Sequence, residues 1–351
     1  MCLLERGQLA GGSTSRAAGG FRAQFSDPVN IAIGLRSIEA FMRFGERPGA
    51  EIDLEQVGYL FLLDHPDDVS AFEASVALQN EGGVPSRFLS LDEAAELCPI
   101  AGLDGVLAAT FSPLDGHASP EAVTQGYASG ARAYGATIVT GCSVDGIAFS
   151  AGELSSVETT LGGIETQAVV CAAGVWSPEL ARLVGIELPV EPYLREVAFT
   201  GPTPALPDRI PLTVDFSSGF YFHREGPGLL FGMADREQPP GFEMATDPAW
   251  LERVMQVADL RCPSLLDMGI AGGWNGYYEV TPDHNALVGE SAEVSRFLYA
   301  TGFSGHGFLQ GPAIGEIVRD LVLRHEPFVD VAPLSVERFA RAAARPEHNV
   351  I

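Results

Sequence analysis

The residues best suited to chemistry lie in three glycine-rich turns, each joined to a short apolar run. In the first, Cys2-Leu3-Leu4 ends in Glu5. A Gly/Ser/Thr loop with one arginine follows, Gly11 to Arg16, and then a small-residue turn, Ala17 to Gly20. In the second, the run ending at Cys171 passes straight into Ala172-Ala173-Gly174-Val175-Trp176-Ser177. In the third, Phe297 to Ala300 leads into Gly302-Phe303-Ser304-Gly305-His306-Gly307-Phe308. An acid at the carboxyl end of a parallel strand is placed to hold a ribose hydroxyl, and small-residue turns offer backbone N–H groups to phosphate. The chemistry these turns suggest is dinucleotide binding. The strand and Gly-rich turn that usually precede such an acid-ended strand are not in the sequence. The reading therefore expects an N-terminally truncated sheet, short of a βα unit of roughly 25–30 residues.

Composition narrows the partners. The chain has 351 residues and a net charge of −25, which argues against nucleic acid and anionic membrane, both polyanions. Lysine is absent, so Schiff-base and lysine general-base chemistry are excluded. The five cysteines show no CxxC spacing, and no histidine cluster has a sequence-local metal-ligand pattern. No apolar run reaches the ~18 residues needed to span a bilayer, and no signal segment is evident. These features predict a soluble, cytoplasmic protein without a metal.

The elements that must position the turns follow from local patterns. Helices are predicted over 28–44, 66–81, 91–97, 248–258 and 312–324. Another is opened by Ser119-Pro120-Glu121, with Ser as the cap and Pro at the first helical position. Strands are predicted over 57–63, 106–111, 136–139 and 143–149. A hairpin around Gly162-Gly163 has arms 157–161 and 165–171. From 188 to 274 short β-rich runs alternate with Pro and Gly. The tail from Pro327 is expected to pack irregularly on the surface. The resulting class is α/β: a Rossmann-like domain from 1–55, 115–188 and 283–345, with an interleaved, mainly antiparallel substrate domain from 56–114 and 189–282. Alternation in Phe220-Tyr221-Phe222-His223 places Tyr221 and His223 on one strand face.

The three turns, with Val280-Thr281-Pro282-Asp283 and Gly311-Pro312-Ala313-Ile314-Gly315, occur in the order of one family. The chain resembles the D-amino-acid-oxidase-like FAD-dependent amine oxidoreductases, such as sarcosine oxidase, glycine oxidase and the flavin subunit of proline dehydrogenase. The resemblance covers nearly the whole chain. It implies that Glu5 holds the adenosine ribose. It implies that Ser13, Thr14, Ser15 and Arg16 line the diphosphate and ribityl chain, and that Gly19 and Gly20 pass the flavin ring. Val144 would meet the adenine. Ala173, Gly174 and Trp176 would line the nucleotide. Gly302, Phe303, Ser304, Gly305, His306, Gly307 and Phe308 would meet the ring, with the following helix pointing its N-terminus at the pyrimidine.

The implied activity is hydride transfer to flavin from a C–H bond beside an amine nitrogen, in a sarcosine-, proline- or glycine-like substrate. Arg22 matches an arginine that binds the substrate carboxylate in sarcosine oxidase, and a guanidinium suits that task. Tyr221, His223 and His306 complete the catalytic candidates, with Arg224 and Tyr278 as weaker pocket residues and His117 as a structural one. Gly276, Tyr277 and Tyr278 stand where sarcosine oxidase carries its flavin on a cysteine, and Arg16 where the dimethylglycine-dehydrogenase branch has a histidine. FAD is therefore expected to be non-covalent. Leu309 replaces a lysine of some members, removing a charge that binds carboxylate or activates oxygen. A partner subunit or separate electron acceptor is compatible with this pattern. The alternative is a non-catalytic or assembly-dependent chain that does not hold FAD alone.

Overall fold

The computed structural model describes residues 1–151, 153–235, 237–243, 247–341 and 343–350. The first segment contains β1 (Cys2–Glu5), β2 (Gly20–Phe21) and α1 (Pro28–Met42). Asp27 caps α1, accepting from the Val29 and Asn30 amides, with Pro28 at the first helical position. Next come β3 (Tyr59–Leu63), α2 (Pro66–Glu81), β4 (Arg87–Leu89), α3 (Leu91–Leu97) and β5 (Ala108–Ser112). Ser90 and Glu93 close a reciprocal capping box on α3, which is why so short a helix is sharply bounded.

The chain continues with β6 (Gly116–His117), α4 (Pro120–Ala133), β7 (Thr137–Thr140), β8 (Val144–Ser150), β9 (Glu153–Thr159), β10 (Gly162–Glu165), β11 (Val169–Cys171) and α5 (Ser177–Arg182). It then forms β12 (Glu191–Thr200), β13 (Leu212–Asp215), β14 (Phe220–Glu225), β15 (Gly228–Gly232), α6 (Trp250–Arg261) and β16 (Ile270–Val280). The last elements are β17 (Leu287–Glu290), β18 (Phe297–Thr301), α7 (Gly307–Leu323) and α8 (Glu337–Ala340).

β1 pairs in parallel with β7, and β11 pairs in parallel with β18, which pairs antiparallel with β17. The large sheet has eight strands in the order β16-β12-β15-β14-β13-β3-β5-β4, all drawn from 56–114 and 189–282. Only β13 and β3 are parallel within it. One face of this sheet is apolar. Leu60, Leu62, Phe220, Phe222 and Phe231 pack there against Trp250, Val254 and Ala258 of α6. On the other face Tyr59, Phe61, Leu63, Leu212 and Val214 pack against Phe72 of α2, and Arg195, Tyr221, His223 and Tyr278 bring polar groups to it.

Four expectations are corrected. The hairpin's second arm ends at Glu165; Val169–Cys171 is a separate strand in another sheet, because it pairs with β18 rather than β9. α7 begins at Gly307, five residues before the predicted start, and carries Pro312 inside it. Pro312 lacks an amide donor, and Ser37 of α1 serves the interrupted ladder. Its hydroxyl donates to the Gln310 carbonyl and accepts from the Ala313 amide. β16, the longest strand, was not predicted; it pairs along its length with β12. Finally, the tail is not superficial. Arg338, Glu347 and Asn349 are buried, and Arg338 forms a two-pronged pair with Asp283 at 2.8 Å on each oxygen.

Both ends of that pair are withdrawn from water, so removing one strands a buried charge, at a cost of about 3–5 kcal/mol. Arg338→Met should lower stability by about 3 kcal/mol in urea denaturation. A loss below about 1 kcal/mol would show that the tail is not anchored there.

Candidate active site

The polar face of the large sheet is set by its register. Val197 on β12 and Tyr221 on β14 both lie opposite Gly232 of β15. Tyr221 is opposite Val214, Val214 is opposite Phe61, and Leu212 is opposite Tyr59. Arg195 is opposite Gly276, and Tyr193 is opposite Tyr278. Paired residues share a face, so Tyr278, Arg195, Tyr221, His223, Tyr59 and Phe61 all project to one side. Two glycines let this face close on its neighbours. A Cβ at Gly232 would overlap the Tyr221 hydroxyl, and a Cβ at Gly20 would overlap the Tyr59 hydroxyl.

Arg22 meets the face from the opposite side. Its side chain is 1 % exposed, and its guanidinium lies 4.4 Å from the Phe25 ring centroid and 5.6 Å from that of Phe61. It donates to the carbonyls of Gln24 and Asn349, and its Nη2 lies 3.2 Å from His306 Nε2. Among the described residues no carboxylate comes within 4 Å of it. Burial lowers its pKa, against the fields of Tyr59, Glu347 and Asp115. Burial, then Arg22 and His284, press His306 well below the usual imidazole range. His306 is therefore neutral, and with Nε2 accepting from Arg22 its proton rests on Nδ1.

The hydroxyls of Tyr59, Tyr221 and Tyr278 have no hydrogen-bond partner among the described residues, and burial raises all three pKa values. They share one sheet face and lie close enough for their fields to act on one another; the hollow is the region between this face and the glycine-rich turns. Tyr221 and His223 share that face, as expected, but the His223 ring is engaged with backbone carbonyls. His223 Nδ1 sits 2.7 Å from the Arg224 carbonyl and Nε2 sits 2.9 Å from the Ala18 carbonyl. His223 thus joins the sheet to the first glycine-rich loop. His117 stacks on it at 4.4 Å and is driven down to about 3 by burial and then by His223. These histidines and Glu225 bring ligand-type atoms within 4.8 Å of one another, yet both His223 nitrogens are already engaged. Arg224 turns away, toward the carbonyls of Pro207 and Gly226.

The nucleotide-type residues line a path beside this hollow. Glu5 ends β1 half-buried and accepts from the Gly7 amide at 2.7 Å. The amides of Gly12 and Ser13 make no hydrogen bond within the described chain. Thr14, Ser15 and Arg16 form a single 3-10 turn. Ser13 Oγ donates to the Tyr277 carbonyl at 2.8 Å, and Arg16 donates to the Asn275 carbonyl, so β16 supports the loop from below. Gly19 lies against the Ala118 carbonyl, and Gly20 pairs with His117. Trp176 is covered by Arg6 at 4.1 Å. Ala173 and Gly174 form its turn, and the Gly174 carbonyl lies 2.9 Å from Thr301 Oγ1. Val144 opens β8 and is half-buried.

Sequence reasoning missed Glu279. Its carboxylate accepts from the Gly302 amide at 3.0 Å and from Thr301 Oγ1 at 2.8 Å. It lies 3.6 Å and 3.7 Å from where side chains on Gly174 and Gly307 would begin. An acceptor thus stands where the second and third turns meet at the α7 N-terminus. Burial raises its pKa, and the Gly302 amide and Thr301 hydroxyl offset part of that shift. Arg195 and Tyr59 were missed as well, because strand register alone brings them to this face.

The fold and site define a flavin-binding oxidoreductase architecture. The family model for FAD dependent oxidoreductases (DAO) matches residues 1–321, and the chain belongs to that family. Its structure superimposes on L-proline dehydrogenase from P. horikoshii with a TM-score of 0.93 and 31 % identity, covering 98 % of this chain and 92 % of that one. Glycine oxidase from Geobacillus kaustophilus gives 0.85 and 26 %, covering 96 % and 91 %. Mitochondrial dimethylglycine dehydrogenase of Mus musculus is 28 % identical over 97 % of this chain. The chain spans 41 % of that relative's length. No described helix is long and apolar enough to cross a membrane.

FAD fits the residues present: two free amides in a Gly/Ser/Thr loop, an acid at the end of β1, and an α7 N-terminus with no side-chain cap. Beside the hollow, Asp115 accepts from the Ala23 amide at 2.9 Å and the Gln24 side chain at 3.0 Å. Burial pushes it up to about 7. From about pH 4 to about pH 7 the folded chain keeps a proton that the unfolded chain has released, so this group's contribution to stability falls as pH rises. Above pH 7 it is flat. The stability of the parent minus that of Asp115→Asn should decline across this window in urea titrations. A pH-independent difference would show that Asp115 titrates normally.

Proposed function

We propose that the chain oxidises the C–N bond of a carboxylate-bearing secondary amine or amino acid, sarcosine-, proline- or glycine-like, with non-covalently bound FAD. The observation that carries this reading is Arg22: a buried guanidinium that, among the described residues, has no carboxylate within 4 Å, near three tyrosine hydroxyls without a described partner and next to the glycine-rich turns. A cation held out of water without an anion is costly, and a substrate carboxylate answers that cost. The names of the relatives, which speak of proline, glycine and dimethylglycine, agree with such a substrate.

Bound FAD would supply hydride acceptance, held by Glu5, the loop 12–16, the Gly174 turn and the loop 302–308. The chain's own residues do the rest. Arg22 draws the carboxylate and fixes which carbon faces the turns. Neutral His306, with its proton on Nδ1, holds the Arg22 guanidinium in place without adding a second positive charge. Phe25 and Phe61 exclude water from around it. The Tyr59, Tyr221 and Tyr278 hydroxyls, kept protonated by burial, donate hydrogen bonds into the hollow. The absence of cysteine at 276–278 supports non-covalent attachment. An external electron acceptor or a partner subunit would complete turnover.

Purified chain supplied with FAD should show flavin absorption near ~370 and ~450 nm and bleach anaerobically with an N-methyl, cyclic or simple amino acid. Folded protein that stays colourless with added FAD would sink the reading in favour of an assembly-dependent chain. Arg22→Gln should keep its flavin but raise KM by about tenfold to a hundredfold, as for loss of one charged hydrogen bond. Parental kinetics in that variant would remove Arg22 as the anchor.

A further inference from the structure

The hollow holds a second cation that the reading above leaves unused. Arg195 projects from β12 onto the same face as Tyr221 and Tyr278, and its guanidinium lies 5.1 Å from the Tyr278 ring centroid and 5.7 Å from that of Tyr193. Its partner across the sheet is Gly276, and the aliphatic part of the Arg16 side chain lies over that glycine while its guanidinium donates to the Asn275 carbonyl. Its Nη1 donates to its neighbour's carbonyl, Leu194, at 2.8 Å, while its Nε is buried and has no partner. No described carboxylate lies within 4 Å of it. The acid whose field reaches it, Asp235, is already paired with Arg253 at 3.0 Å.

Arg195 lies over the Tyr278 ring, the edge of that ring meets Gly305, and the adjoining His306 contacts Arg22, so the two arginines lie on either side of Tyr278. They differ in what they still have to give. Arg22 already serves two carbonyls and His306, and the acids Glu347 and Asp115 lie in its field. Arg195 serves one carbonyl, and its nearby acid is answered by another arginine. Aromatic stacking stabilises a guanidinium but satisfies none of its in-plane N–H donors. Two buried cations on either side of one tyrosine, neither with a described carboxylate within 4 Å and Arg195 with an unpartnered Nε, are an expensive arrangement that a ligand with two anions would answer.

We propose that Arg195, with the Tyr221 and Tyr278 hydroxyls, is a second anion-binding subsite, and that the substrate is an amine carrying two acidic groups, one held at Arg22 and one at Arg195. An N-alkylated acidic amino acid has this chemistry. The proposal rests on the reading of the hollow as the amine-oxidising pocket, and binding without turnover separates the two.

The FAD-loaded protein is titrated with succinate and with acetate at constant ionic strength, following perturbation of the flavin spectrum and the thermal midpoint. Succinate should bind at least about tenfold tighter, the worth of one additional ion pair. Arg195→Gln should retain flavin and lose that excess, and Arg195→Lys should keep most of it. Equal binding of the two anions by the parent, or an unchanged preference in Arg195→Gln, overturns the proposal. Should Arg195→Gln not fold, the parent comparison and Tyr278→Phe, expected to weaken succinate selectively, decide it. Anaerobic bleaching is run in parallel. Equal bleaching by neutral and acidic N-methyl amino acids overturns the two-anion subsite and leaves the amine reading standing. No bleaching by any amine, with the succinate preference intact, overturns the amine reading and leaves the anion subsite.

Discussion

The architecture depends on keeping a few strongly polar side chains out of water without fully pairing them. Arg22, Arg195 and the Tyr59, Tyr221 and Tyr278 hydroxyls face a space between the large sheet and the glycine-rich turns. Each costs free energy there, so other contacts must hold it in place. His306 and the Asn349 carbonyl fix Arg22, and the Tyr278 and Tyr193 rings contact Arg195. Gly20 and Gly232 allow the tyrosines their approach. The stability that offsets this lies on the sheet's other face, where phenylalanines and leucines pack against α6.

What was legible in the sequence was local. Helices α2 and α3 have the predicted bounds, because a proline at the first helical position and a capping box act within one turn of chain. The glycine-rich turns were legible for a similar reason: each packs its signal into fewer than ten residues. What depends on a remote partner was not. Val169–Cys171 joins β18 from another part of the chain, and its own composition does not distinguish that from continuing a hairpin. Pro312 suggested a helix start, yet Ser37 from another helix makes it tolerable inside α7.

The same limit applies to the site. Arg22 was found because it follows a recognisable turn. Arg195 has no local motif, and its position on the working face follows from the pairing of β12 with β16, a strand that the sequence concealed among glycines. Glu279 gains its meaning from three segments meeting around it. Tyr221 and His223 were correctly placed on one face by alternation. Only the Ala18 carbonyl, two hundred residues upstream, shows that His223 is a strut.

The Arg22 guanidinium is bonded to groups 284 and 327 positions further along the chain. Contacts of such separation are entropically slow to close, and during synthesis they cannot form until those residues have left the ribosome. The α6 face of the large sheet closes between residues that all precede the His306 and Asn349 contacts in the chain. A nascent chain would thus carry a packed sheet with its polar face still open to solvent over the last part of its translation, after α6 and β16 have been made. Any cofactor that requires the finished pocket would be captured after release rather than during elongation.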